Sequence, residues 1–250
     1  MALLIDLSVP LTKRSKHLNT YDIKHISHKE HAKIKAPVWG FTEDDFPDWG
    51  HGAHDNLTIT THDGTHLDAP WHFAPTSEGK PAKTIDQVPI EWCYGDGVLL
   101  DFHHFERERP ITTVDLQEAL KKISYNLKPK DILLIRTDAT KHWLEENYKD
   151  QGAGVTAEAT AWIIDTGVRV MGIDSWTWDQ PFDIMLEWSN PKENFMAAHR
   201  LGYKKEYLHM ESLANLDKIP KPIGFKVAAF PINIEGASAG WIRPVAIFED

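Results

Sequence analysis

Apolar residues in this chain gather into short runs that read as strands, separated by stretches with helical spacing. Residues 98–102 and 131–137 have nearly continuous apolar centres, the mark of strands covered on both faces. Residues 3–7, 169–174, 207–210, 223–230 and 245–248 carry the same signature. Between them, Val114, Leu116, Ala119, Leu120 and Ile123 give a helical face, with Thr113 placed to cap it. Thr156 opens a second helix over 157–165 that Gly167 ends. Residues 139–146 read as a further helix, and Gly202 closes a helix end over 196–202. A turn rich in glycine is expected over 236–240. The middle alternates strand and helix while both ends are strand-rich, which predicts a single α/β domain over residues 1–250 with β-sheet at its centre. Two segments stand apart. Residues 13–36 are polar, with His25, His28 and His31 at a spacing that closes no site, and read as a solvated segment or a subunit contact. Residues 37–52 set Trp39, Phe41, Phe46 and Trp49 among Gly40, Pro47 and Gly50, and read as a loop.

The densest chemistry lies in residues 61–73, where His62, His66, Asp68 and His72 are separated by even numbers. On an extended backbone they share a face; on a helix His62 and His66 would oppose Asp68 and His72. The β-branched run before them favours extension, and Pro70 opposes a helix through the middle. A straight strand would hold His62 and His66 roughly 13 Å apart, too far for both to reach one ion at about 2.1 Å. Asp63 and Gly64 supply a bend. The expected shape is a strand, a kink and a second extended run that aims three or four ligands at one point. Chance clustering among 14 histidines is the bland alternative, outweighed by so mixed a set within eleven residues. Neutral imidazole and carboxylate suit a divalent ion such as zinc or manganese.

Composition narrows the partners. A formal net charge of −10 argues against duplex nucleic acid and against an anionic membrane surface. Cys93 is the single cysteine, so an internal disulfide and a thiol-metal site are both excluded. Residues 1–8 lack a basic region, and no apolar run approaches the ~18 residues of a span. A cytoplasmic protein acting on a small molecule is expected.

Residues 62–73 resemble the signature of the cyclase-like metal-dependent hydrolases, a family that includes bacterial kynurenine formamidase and isatin hydrolase. The likeness continues through Gly172, Ile173 and Asp174, through His199, through residues 211–213 and through 243–246. It implies the swivelling β/β/α fold, a β-barrel-like sheet core with flanking helices. It also implies that His199 and Glu211 hold a second metal position or serve beside the first, with one or two ions in all. A homodimer or homotetramer is implied as well. Two departures from the formamidase branch stand out: Ser212 replaces Asn, and residues 174–179 carry Trp176 and Trp178 where a smaller segment is expected.

The leading expectation is a metal-dependent amidohydrolase acting on C–N bonds other than peptide bonds. His62, His66 and Asp68 would hold the ion and leave a position for water, whose pKa falls toward neutrality. His72 would pass a proton to the leaving nitrogen, and Glu211 would orient the water or share the base role. Trp39, Phe41, Trp49, Trp176 and Trp178 offer flat walls for a compact bicyclic ring. With Ser212 they favour an isatin-like cyclic amide over a formamide of the N-formylkynurenine type. A metal-dependent lyase or cyclase and a non-catalytic metal-binding module are the competing classes. The sulfur-poor ligand set and the spare His72 speak against a closed structural site. His51 and His54, like His25, His28 and His31, receive no role.

Overall fold

The structure, a computed structural model, describes residues 2–16 and 22–249. It divides into two compact units, Met1–Leu11 with Thr61–Asp250, and Thr12–Thr60. The larger unit is built on nine strands: β1 (Leu3–Asp6), β2 (His66–Asp68), β3 (Tyr94–Asp101), β4 (Asp131–Arg136), β5 (Val170–Ile173), β6 (Leu208–Glu211), β7 (Phe225–Ala228), β8 (Ala239–Trp241) and β9 (Val245–Phe248). They form one sheet in the order β1-β9-β7-β3-β4-β5-β6-β2-β8. From β3 to β6 neighbours are parallel; the pairs on either side of that block are antiparallel. The sheet curls as a half-barrel, the α/β architecture that the sequence pattern predicts.

Parallel strands need long crossovers, and here these are helices such as α1 (Thr113–Lys122), between β3 and β4, and α2 (Ala157–Asp165), between β4 and β5. The alternation of side chains sorts two cores. Leu99, Ile132, Leu134, Val170, Leu208 and Met210 pack on one face with Leu67, Phe225 and Val227. Val98, Leu100, Leu133, Ile135, Met171 and Ile173 pack on the other against Leu116, Leu120, Ala159 and Ile163 of the helices. Each such fully buried aliphatic side chain contributes about 1.5–3 kcal/mol. The period of two therefore carries a consequence for chemistry: on β2 and β6, residues 66, 68, 209 and 211 must leave the sheet on the helix-bearing face.

Several local expectations are corrected. Thr112, one residue before the expected cap, accepts from the Asp115 N–H, and Asp115 answers at the Thr112 N–H, a reciprocal capping box. Residues 139–146 are not an α-helix but 3₁₀ turns, Ala139–His142 and Glu146–Asp150, whose starts carry no side-chain cap. The expected glycine turn at 236–240 runs into β8.

In the smaller unit, strands Asp22–Ile26 and His54–Thr58 pair antiparallel, and helix His28–Trp39 follows the first of them. That helix runs through Pro37 into the segment expected to be loop. Ser27 and Glu30 cap its start reciprocally, and Gly40 ends it at φ 76°, so the two ends override the missing proline N–H. The polar segment 13–36 is thus partly strand and helix; residues 17–21 of it lie outside the described residues. His31 stacks on His51 and His54 at 5.4 and 5.5 Å. Trp39, Phe41 and Trp49, the expected substrate walls, belong to this unit and are half exposed at 46%, 52% and 62%.

Candidate metal centre

The site grows from the antiparallel pairing of β6 with β2, in which His209 faces Asp68 and Glu211 faces His66. Because alternate residues share a face, four chemically active side chains meet on one side of two adjacent strands. Leu67 and Met210, between them, point into the opposite core. Gly64, at φ 72°, makes the expected bend before β2. After Asp68 the extended run stops. Pro70 does not block a helix but starts one, α-helical residues Pro70–Phe73 with the proline at the first turn, where its missing N–H costs nothing. His72 thus reaches the cluster from a helical turn, its Nε2 3.8 Å from Asp68 Oδ2.

His62, upstream of the bend, places Nδ1 2.9 Å from Asp68 Oδ1, and its Nε2 lies 2.9 Å from the Ser238 hydroxyl. His66 donates from Nδ1 to the Gly64 carbonyl at 2.9 Å, which leaves Nε2 bare. That atom stands 3.3 Å from Asp68 Oδ1 and 3.6 Å from Glu211 Oε2. His199 comes from the short helix Ala197–Leu201, and Asp179 holds it in place. The Asp179 carboxylate accepts the Ala198 and His199 N–H groups at 2.8 and 3.1 Å and His199 Nδ1–H at 2.6 Å. His199 Nε2 is then turned to Glu211 Oε1 at 3.5 Å. Gly202 closes that helix not through a left-handed cap but by close packing: a Cβ there would lie 2.5 Å from the Phe73 side chain.

Two buried atoms test whether a cation fits. His66 Nε2 has no hydrogen-bond partner among the described residues, and Asp68 Oδ1 makes no well-directed hydrogen bond, with His62 Nδ1 its near neighbour at 2.9 Å. Leaving a buried polar atom such as His66 Nε2 unsatisfied costs about 1–3 kcal/mol. Two ligands about 2.1 Å from a tetrahedral ion stand roughly 3.4 Å apart, close to the separations that His66 makes with Asp68 and Glu211. The donor set is imidazole and carboxylate throughout, suited to a divalent first-row ion. Ligand atoms of Asp68, His199, His209 and Glu211 cluster within 4.8 Å of one another, as do those of His62, Asp68 and His72, with Asp68 common to both.

Electrostatics agree. Burial works against charge on Asp68, but His66, His209 and His62 hold its carboxyl well below the usual carboxylate range. Burial likewise opposes charge on Glu211, and His209 turns the balance downward. For His209, burial opposes the cation while Asp68 and Glu211 raise it to about 9. His72 goes the other way: burial and the neighbouring imidazoles hold it at about 4, against the pull of Asp68.

Of the residues read from the sequence, His62, His66, Asp68, His72, His199 and Glu211 are brought together. Trp178 is fully buried, its indole N–H donating to Thr160 at 2.8 Å; what it gives the site is its main-chain N–H, donated to Glu211 Oε1 at 2.9 Å. Ser212 is buried as well, its carbonyl accepting from Thr65 and its hydroxyl from Tyr148. Asp179 and His209 were missed as site residues. The period of two along β6 is the signal that places His209 on the face of Glu211; Asp179 carries no local signal, since its partner lies twenty positions on. We expect Asp179→Asn to weaken divalent-metal affinity by about 10–100-fold, the usual cost of losing a ligand's outer partner, with circular dichroism unchanged. A chelator competition that finds wild-type affinity would remove Asp179 from this role.

A separate cavity of about 500 Å³, lined by Leu99, Phe102, Arg109, Arg136 and Ile219 among others, shares no residue with this centre. Its two guanidiniums are already paired, Arg109 with Asp115 and Arg136 with Asp101 and Asp138.

Comparison with known proteins completes the picture. Kynurenine formamidase from Erythrobacter litoralis is 27% identical over 191 residues, which cover 76% of this chain and 74% of that one. An isatin hydrolase bound to the product analogue thioisatinate superposes with a TM-score of 0.78 at 19% identity, covering 100% of this chain and 93% of that one. Isatin hydrolase A from Ralstonia solanacearum gives a TM-score of 0.78 at 22% identity, over 99% and 92% of the two chains. These structures share the half-barrel fold. The family model described as Putative cyclase matches residues 5–180, more than half of the chain and the whole of the histidine-rich stretch, so the protein belongs to the cyclase family.

Proposed function

We propose that this protein is a metal-dependent amide hydrolase that opens a small cyclic aromatic amide of the isatin type. The observation that carries the reading is the unpartnered buried His66 Nε2, facing oxygens of Asp68 and Glu211, beside two imidazoles that stay partly open. His62 and His72 each keep 30% of their side-chain surface, so one side of the centre is accessible while Asp68 is closed off. A divalent ion, zinc or manganese, held by His62, His66 and Asp68 with His199 and Glu211 beside it would supply Lewis acidity toward the amide carbonyl and toward water.

The chain's own groups do the proton work. His72 is neutral at pH 7, since it is held at about 4, so it enters the reaction as a base. It takes a proton from the attacking water as oxygen adds to the carbonyl carbon. When the C–N bond breaks, His72 Nε2 returns that proton to the released nitrogen, which becomes an amine still tethered through the opened ring, and the carboxylic acid formed gives its remaining proton to solvent. Glu211, fixed by the Trp178 N–H, orients the water from the buried side.

The isatin hydrolases among the structural neighbours support the cyclic amide; the formamidases among the sequence relatives support the second reading, an aryl formamidase. Water attack on either class uses the same groups. We expect kcat/KM for isatin to exceed that for N-formylkynurenine at equal enzyme and metal, and a clear preference for the formamide would reverse the assignment.

We further propose one functional domain over residues 1–250, cytoplasmic, acting as a homodimer or homotetramer. The apolar faces left half exposed at Trp39, Phe41 and Trp49 support a contact with a second copy. Light scattering at micromolar concentration is expected to return at least twice the chain mass; a clean monomer refutes the oligomer.

A further inference from the structure

His209 lies at the heart of the cluster, fully buried, stacked on Trp178 at 5.9 Å and packed by Phe73 at 5.0 Å. Its Nε2 is 2.8 Å from Asp68 Oδ2 and 3.2 Å from Glu211 Oε1. With His199 Nε2 close by, these atoms bound a space where a second cation would sit, and His209 is one of its four walls.

A histidine that ligates a metal through one nitrogen almost always donates from the other to a fixed acceptor. The three histidines assigned to the ion obey this. His62 Nε2 meets the Ser238 hydroxyl, His66 Nδ1 the Gly64 carbonyl, and His199 Nδ1 the Asp179 carboxylate. His209 Nδ1 is buried with no partner among the described residues. If Nε2 were a ligand, the ring's one hydrogen would sit on Nδ1 as an orphaned buried donor, the costlier kind of unpaired group. The separation to Asp68 also matches a charge-assisted N–H···O contact of about 2.7–2.9 Å, and is shorter than the roughly 3.4 Å between two ligands on one tetrahedral ion.

We propose that His209 is a positioning residue whose Nε2–H spans Asp68 Oδ2 and Glu211 Oε1, fills the place of a second cation, and limits the centre to one metal ion per chain. It pins the outer oxygens of both carboxylates, so that Asp68 Oδ1 and Glu211 Oε2 stay turned toward His66. This inference rests on the centre binding a divalent ion at all.

Zn²⁺ titration of the full chain, read by equilibrium dialysis and by NMR of protein carrying ¹⁵N-histidine, tests it. The wild type is expected to bind one Zn²⁺ per chain at the centre and to keep the His209 Nε2–H resonance after loading. His209→Leu, which removes the donor, is expected to bind two, while His209→Gln, which can restore an N–H, stays at one. Two Zn²⁺ in the wild type, loss of the resonance on loading, or a His209→Leu variant that stays at one each overturns the inference. If His209→Leu does not fold, the wild-type stoichiometry and resonance decide alone. A wild type that binds no Zn²⁺ sinks the underlying metal reading instead.

Discussion

Replacing His66 by Ala should remove bound metal and hydrolysis together. The prediction follows from the position of Nε2: it is buried, it has no hydrogen-bond partner, and it faces oxygens of both Asp68 and Glu211. No other side chain on β2 can replace it, because Leu67 points into the opposite core and Asp68 is already part of the cluster. The fold should survive, since His66 contributes one hydrogen bond, to the Gly64 carbonyl, while β2 keeps its pairing with β6 and β8. Metal analysis and an amide assay on the same preparation check this. A variant with full metal occupancy excludes His66 as a ligand.

His72→Ala should behave differently, keeping metal and fold while losing about 10²–10⁴ in rate, the range for a general acid-base. His72 is half open, sits on the rim, and reaches Asp68 at only 3.8 Å. Its imidazole is held at about 4, so the neutral form dominates at pH 7 and the acid limb attributable to it lies well below the ordinary histidine range. Protonation at lower pH removes the base, so rate falls as pH drops through that limb. If the variant instead arrives without metal, His72 belongs with His62 and Asp68 as a ligand, and the proton passes through Glu211.

Much of the sheet was legible because buried parallel strands leave a plain signature. Residues 131–137 and 169–174 announce themselves by apolar runs that can satisfy no other element, and Thr156 caps the helix that follows it. The failures occur where tertiary packing or end-capping overrides a local rule. Pro37 reads as a breaker, yet reciprocal capping at Ser27 and a left-handed Gly40 carry the helix past it. Pro70 reads as a barrier to helix and is instead the first residue of one. His72 was therefore placed near Asp68 by counting even numbers along a strand that ends at Asp68; the helical turn brings it there by another path. Trp178 shows the opposite limit. An aromatic ring in a chemistry-rich segment suggests a pocket wall, but burial is a property of the whole fold, and the ring lies in the core with only its N–H at the site. The link between Asp179 and His199 depends on the packing of two segments twenty residues apart, which no period in the sequence records.

The most direct test of the metal centre is metal content and amide hydrolysis measured on protein purified without added metal, then stripped by chelation and reloaded. Bound divalent metal is expected in the protein as isolated, with hydrolysis lost on stripping and recovered on reloading with zinc or manganese. Hydrolysis undiminished in the metal-free protein would contradict this expectation.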